Sequence, residues 1–166
     1  MIVEKPSRAF VGIGGNVGDV ETTLAEALWS LDAIPQTSIR AQSRLYRTPP
    51  WGNTDQPPFL NAVVELQTRL TARVLLDLLL EIEIRFGRDR AEGEKWGPRE
   101  LDLDLLVYGE EQLDEPGMHV PHPHLRERAF VLVPLAEIAP ALQIVGVGRV
   151  SELVAAVDTA GIEPIE

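Results

Sequence analysis

The nine residues LDLDLLVYG, Leu101 to Gly109, set two acids into an otherwise apolar run. Side chains alternate along a strand, so Asp102 and Asp104 share one face with Cα atoms about 7 Å apart, while Leu101, Leu103 and Leu105 enter the core. Carboxylates at that spacing can each lean toward one of two hard cations about 4 Å apart, an arrangement used for displacement at phosphorus. A half-exposed strand whose outer face happens to carry two acids is the plainer reading, and the neighbouring residues have to decide between them.

The preceding segment supplies the counter-charge. Arg85, Arg88, Arg90, Lys95 and Arg99 put five of the chain's 15 basic residues into the 15 positions 85–99, against three acids. A glycine-punctuated loop of this charge suits a polyphosphate, whose oxygens need both cations and guanidinium forks. The chain lacks the G-x-x-x-x-G-K-[ST] pattern of a P-loop, and tight turning accounts for Gly14 and Gly15 in GIGGNVGD, with Asn16 and Asp19 as turn and cap residues. All three histidines, His119, His122 and His124, lie within six residues. Three imidazoles could form a zinc site, but Pro121 and Pro123 constrain the backbone, and one imidazole beside Arg126 and Arg128 donating to a phosphate is the preferred reading. Trp51 and Phe59 flank a proline loop beside Asn61, whose amide has donors and an acceptor for a flat heterocycle, and Phe130 offers another stacking face. Core packing is the plainer reading of Phe59 and Phe130 taken singly.

These residues need a scaffold. The 166 residues, 45% hydrophobic, suit one globular domain spanning 1–166. Ala9 to Gly14 reads as a buried strand. A helix capped by Asp19 follows, with Val20, Leu24, Ala27, Leu28, Leu31 and Ile34 at helical spacing until Pro35 stops it. Strands are expected at Ser38 to Tyr46 and Phe59 to Leu66, separated by the four prolines of RTPPWGNTDQPP. Thr71 caps the strongest helix, striped by Val74, Leu75, Leu78, Leu79, Ile82 and Phe86, with Gly87 as its stop. The order is βαββαβ, which predicts an α+β, ferredoxin-like antiparallel sheet with helices on one face. An apolar helix over Val131 to Ile138 and a last helix opened by Ser151 form a C-terminal helical extension.

Composition excludes several functions. The formal net charge of −11 repels nucleic acid backbones and anionic membrane surfaces, so neither is expected as a partner. The chain has no cysteine, hence no disulfide, thiolate site or thiol nucleophile. MIVEKPSRAF lacks the apolar core of a signal peptide, and no run approaches membrane-spanning length, so a cytoplasmic protein is expected.

The motifs R-T-P-P-W-G (Arg47 to Gly52), Q-P-P-F-L-N-A (Gln56 to Ala62), G-R-x-R (Gly87 to Arg90), W-G-P-R-x-L-D-L-D (Trp96 to Asp104) and V-P-H-x-x-x-x-x-R-x-F (Val120 to Phe130) occur in one consistent order. Together they resemble the 6-hydroxymethyl-7,8-dihydropterin pyrophosphokinase family of folate biosynthesis, from about Phe10 to Pro140. The resemblance implies transfer of diphosphate from ATP to the pterin hydroxymethyl group with release of AMP, and two Mg²⁺ held by Asp102 and Asp104. It further implies that Arg88 and Arg99 stabilise the transferring group and that Trp96 packs over the nucleotide. Glu83, His122 and Arg128 would belong to the nucleotide side, and Thr48, Pro49, Trp51, Phe59, Asn61 and Phe130 to the pterin pocket. Trp51 and Phe59 stand where the family often has leucine and tyrosine, and Gly15 where it often has serine. A monomer acting on two small molecules is expected.

Two readings of other classes compete. An RNA-binding module shares the strand–helix order but needs basic charge and exposed aromatics on the central strands, where this chain has acids. A metal-dependent phosphohydrolase or nucleotide sensor would use the acid pair without a pterin.

Overall fold

The computed structural model describes residues 2–50, 55–86 and 100–165. In chain order the elements are β1 (Ile2–Gly15), α1 (Val20–Asp32), β2 (Thr37–Gln42), β3 (Tyr46–Thr48), β4 (Phe59–Leu70), α2 (Ala72–Arg85) and β5 (Asp102–Tyr108). A hairpin of β6 (Leu113–Glu115) and β7 (Met118–Val120), a 3₁₀ turn (Leu125–Glu127) and α3 (Ala129–Ile138) follow. The chain ends with β8 (Gln143–Ile144), β9 (Gly148–Arg149), α4 (Val150–Ala155) and β10 (Glu163–Pro164).

The main sheet runs β10-β3-β4-β1-β5, with β2 also paired to β4 and every pairing antiparallel. This is the expected βαββαβ order, with β1 and β4 at the centre. Both helix starts follow from side-chain caps: Asp19 Oδ1 accepts from Thr22 N (3.3 Å) and Thr71 Oγ1 from Val74 N (3.4 Å), each satisfying a donor the first turn leaves open. Gly87, the expected stop of α2, lies outside the described residues.

Alternation along the strands divides the core in two. Ala9, Val11 and Ile13 of β1, Val64 and Leu66 of β4, and Leu103 and Leu105 of β5 pack under α1 and α2, against Leu24, Leu31, Leu75 and Leu79. Phe10, Val63 and Leu106 point the other way and are covered by Val131, Leu132 and Leu135 of α3 and Val150 of α4. α1 and α2 thus share one face, as expected of the βαββαβ unit, and the expected C-terminal extension forms a second layer on the opposite face. Its sequence requires this, since α3 is apolar nearly all round and can be stable only between two buried surfaces. Each fully buried leucine contributes about 1.5–3 kcal/mol on either side.

A register shift opposite Phe10 and Val11 leaves Leu106 as an extra residue in β5, with Phe10 facing Val107 and Val11 facing Leu105. The shift lets Leu106 and Val107 both enter the second core, while Leu103 and Leu105 stay in the first. The strand expected over Ser38 to Tyr46 is likewise interrupted, at positions 43–45, so that β2 and β3 meet β4 in different registers.

Candidate active site

One cross-strand row carries most of the candidate chemistry. Tyr46 of β3 lies opposite Asn61 of β4, Asn61 opposite Gly14 of β1, and Gly14 opposite Asp102 of β5. In the next row Gly12 stands between Val63 and Asp104. Adjacent strands are about 4.8 Å apart, so Asn61 and Asp102 are held about 10 Å apart, with a strand between them that has no side chain at Gly12 or Gly14. The result is a trough floored by backbone, with an amide on one wall and two half-buried carboxylates on the other.

Gly14 is needed for space. It lies within β1 at an ordinary φ, and the turn into α1 is made at Gly18, with φ of 76°. A Cβ on Gly14 would sit 2.1 Å from Asn61 Oδ1 and 3.0 Å from the Leu60 carbonyl oxygen. The tight-turn reading of Gly14 is thus replaced by close approach of Asn61. That amide is oriented by donation from Nδ2 to Thr48 Oγ1 (2.8 Å), and Thr48 is only 1% exposed. Phe59 is half-buried opposite Thr48, on the same face, and Pro49 is exposed at the end of β3.

Asn16 is also more than a turn residue. Buried just past β1, it donates to Gln56 Oε1 (2.9 Å) and to the Pro57 carbonyl (3.0 Å), fastening the glycine turn to the proline loop. The only sequence signal was a polar residue directly after an apolar strand.

The second helical layer closes the acid wall. Arg128, 6% exposed at the start of α3, places Nη1 3.8 Å from Asp104 Oδ2 and its guanidinium carbon 5.6 Å from the centre of the half-buried Phe130 ring. Burial lowers the Arg128 pKa, and the charges of Asp104, Asp102 and Glu127 act against it. A guanidinium stays protonated in such a setting, so the wall sets a fixed cation beside Asp104.

His122 is drawn to the same wall, with its amide donating to the Leu106 carbonyl (2.9 Å). Burial pushes the imidazole pKa down to about 4; Asp104 opposes the shift, and Arg128, His124 and His119 add to it. The ring is therefore neutral at pH 7, and because Nδ1 accepts from His124 N (3.2 Å) its proton resides on Nε2, free to donate. The other two histidines are engaged elsewhere, His119 with Asp114 (2.6 Å) and His124 with Glu127 (3.2 Å). Among the described residues no group of three or more His, Asp or Glu side chains that could hold a metal occurs, so the three-imidazole zinc reading finds no support.

The His122 shift has a measurable consequence. An unfolded histidine binds a proton below about pH 6.5, whereas the native ring refuses it until about pH 4, so this contribution to stability is complete above 6.5 and is lost as pH falls toward 4. Magnesium-free urea titrations should show unfolding free energy dropping over that window by up to about 1.4 kcal/mol per pH unit more in the wild type than in His122→Gln. Equal slopes would show that the ring is not buried in its neutral form.

Glu83 reaches β5 from the opposite side. It is 1% exposed, and Oε2 accepts from Leu103 N (2.6 Å), the amide between the two aspartates. This placement makes Glu83 a fastening of the acid strand. Glu83→Ala should lower unfolding free energy by about 1.5–3 kcal/mol in urea titrations, with Glu83→Gln losing less because it keeps an acceptor. An unchanged Ala variant would deny the fastening role.

Trp51, Arg88, Trp96 and Arg99, the remaining site residues expected from the sequence, lie outside the described residues. Those described, Thr48, Phe59, Asn61, Asp102, Asp104, His122, Arg128 and Phe130, come together on or above one sheet face. Fold and face together define a ferredoxin-like α+β protein whose trough runs between an oriented amide and a carboxylate pair.

The family model described as 7,8-dihydro-6-hydroxymethylpterin-pyrophosphokinase (HPPK) matches residues 10–140, and the chain belongs to that family. It is 48% identical to the 2-amino-4-hydroxy-6-hydroxymethyldihydropteridine pyrophosphokinase of Methylorubrum extorquens, covering 96% of this chain and 99% of that one. With the enzyme of the same name from Pseudomonas aeruginosa it shares 44% identity, over 94% of this chain and 95% of the relative. Among solved structures, Plasmodium falciparum HPPK-DHPS with pteroate superposes with a TM-score of 0.71 at 13% identity. That match covers 91% of this chain and 42% of the longer one, and shows likeness of fold.

Proposed function

We propose that the trough is where a pterin and ATP meet. The chain is a pyrophosphokinase that transfers diphosphate from ATP to the hydroxymethyl group of 6-hydroxymethyl-7,8-dihydropterin, releasing AMP, in folate biosynthesis. One observation carries the assignment of the site: Asn61 and the Asp102–Asp104 pair face the same trough, two strands apart, with only Gly12 and Gly14 between them.

On the amide wall, Asn61 and Thr48 read the hydrogen-bonding edge of the pterin and Phe59 stacks on one face; Phe130, beside Arg128, offers the other face, and the family motif assigns Pro49 and Trp51 to the same pocket. On the other wall, Asp102 and Asp104 hold two Mg²⁺. The donor set fits: Mg²⁺ is commonly bound by one or two carboxylates and completed by water and substrate phosphates, and this wall offers two carboxylates with an open trough before them. When bound, the ions neutralise charge building on the phosphate oxygens. Arg128 adds a fixed cation beside Asp104, and His122 donates a hydrogen bond from Nε2. The family motif assigns Arg88 and Arg99 to stabilising the group in transfer and Trp96 to the nucleotide.

The catalytic unit is a single domain over 1–166, working as a monomer in the cytoplasm. No helix among the described residues is long and apolar enough to cross a membrane. Incubation with ATP and Mg²⁺, with and without the hydroxymethyl-dihydropterin, tests the reading. AMP should form only when the pterin is present; ADP, or turnover without the pterin, would overturn it.

A further inference from the structure

We propose that Glu137 is a positioning residue for the pterin side of the trough, holding the strand break that keeps Thr48 turned toward Asn61. The inference rests on the reading that Thr48, Asn61 and Phe130 bind the pterin.

Between β2 and β3 the chain gains one residue on its partner. Gln42 pairs with Val64 and Tyr46 with Asn61, four steps along one strand against three along the other. Because strand side chains alternate, that extra residue decides which set faces the trough. As built, Tyr46 and Thr48 share the face of Asn61, while Leu45 packs into the core under α1 and α2. A slip by one would bring Leu45 and Arg47 round and turn Thr48 away.

Two sets of contacts hold the break. Ser43 does so from within the sheet: its amide donates to the Val63 carbonyl and its Oγ accepts from Val63 N, both at 2.9 Å. Glu137 does so from α3. Its Oε2 accepts from Arg44 N (3.0 Å), and its Oε1 from Arg44 Nε (3.2 Å) and from the Tyr46 hydroxyl. Burial would push the Glu137 carboxyl up, but the bonds from Tyr46 and Arg44 outweigh it and hold the pKa below the usual carboxylate range. One carboxylate thus gathers donors from within the interruption and from the first residue of β3, and ties the register of β3 to the helix that carries Phe130. The 3₁₀ turn that leads into α3 is fastened separately, since Arg126 Nη2 donates to the Gly146 and Val147 carbonyls.

Steady-state kinetics with each substrate varied in turn tests this. Glu137→Ala should raise the KM for the pterin about tenfold or more and leave that for ATP within about twofold. Glu137→Gln should recover most of the loss through its remaining acceptor oxygen. Tyr46→Phe, a milder change should the alanine variant fail to fold, should raise the pterin KM about threefold. Equal movement of both KM values, or a lower thermal midpoint with neither KM changed, would overturn the proposal. Phe130→Ala run alongside separates the two layers of argument. If it raises the pterin KM while the Glu137 and Tyr46 variants do not, only the positioning role falls; if it leaves the pterin KM unchanged, the pocket reading falls and the positioning role with it.

Discussion

Asp104→Asn should cut turnover by about 10³-fold, because a divalent ion at phosphoryl oxygens contributes several kcal/mol and each 1.4 kcal/mol is a factor of ten. Asp102→Asn should behave alike, since both residues face the trough from β5. The fold should survive either change: both side chains point out of the Leu103 and Leu105 core, and the ladder to Gly12 and Gly14 is made by backbone. Thermal midpoints measured without metal or nucleotide should therefore stay within about 3 °C of wild type. Mg²⁺-dependent ATP binding, followed calorimetrically, should weaken in both variants. If turnover persists at saturating Mg²⁺, the carboxylates are not the metal wall.

Gly14→Ala is expected to separate pterin binding from ATP binding. The new Cβ would meet Asn61 Oδ1 at 2.1 Å, so the amide must swing off its bond to Thr48. The Leu60 carbonyl at 3.0 Å leaves the backbone little room to yield instead. Losing an oriented amide that reads a substrate's polar edge costs far more than losing a methylene, so the pterin KM should rise about a hundredfold while the ATP KM changes little. Asn61→Ala made in the Gly14→Ala background should add almost nothing, since both changes remove the same contact. Full additivity of the two substitutions would show that Gly14 serves something other than Asn61.

These expectations differ in how far they were legible from the sequence. The acid pair was, because alternation is a local rule and three leucines mark the other face. The capped starts of α1 and α2 were, because Asp19 and Thr71 act on residues three positions away. The role of Gly14 was hidden because its reason is Asn61, 47 residues further on. The interruption at 43–45 was hidden because an extra residue changes pairing without disturbing composition. The second helical layer was hidden because an apolar α3 reveals that it is buried but not against which face. Glu83 illustrates a different limit: the family resemblance marked the residue, but its bond to Leu103 N joins positions 20 residues apart and follows from no local pattern.

Glu83 also bears on the border of the sheet. The strand carrying the two aspartates ends the sheet order, and a sheet border with open amides is a template for joining other molecules. The carboxylate from α2 occupies the amide of Leu103, midway along the acidic stretch, and so blunts the border there. One buried acid thereby closes an amide on the border strand while Asp102 and Asp104 keep their place on the trough face.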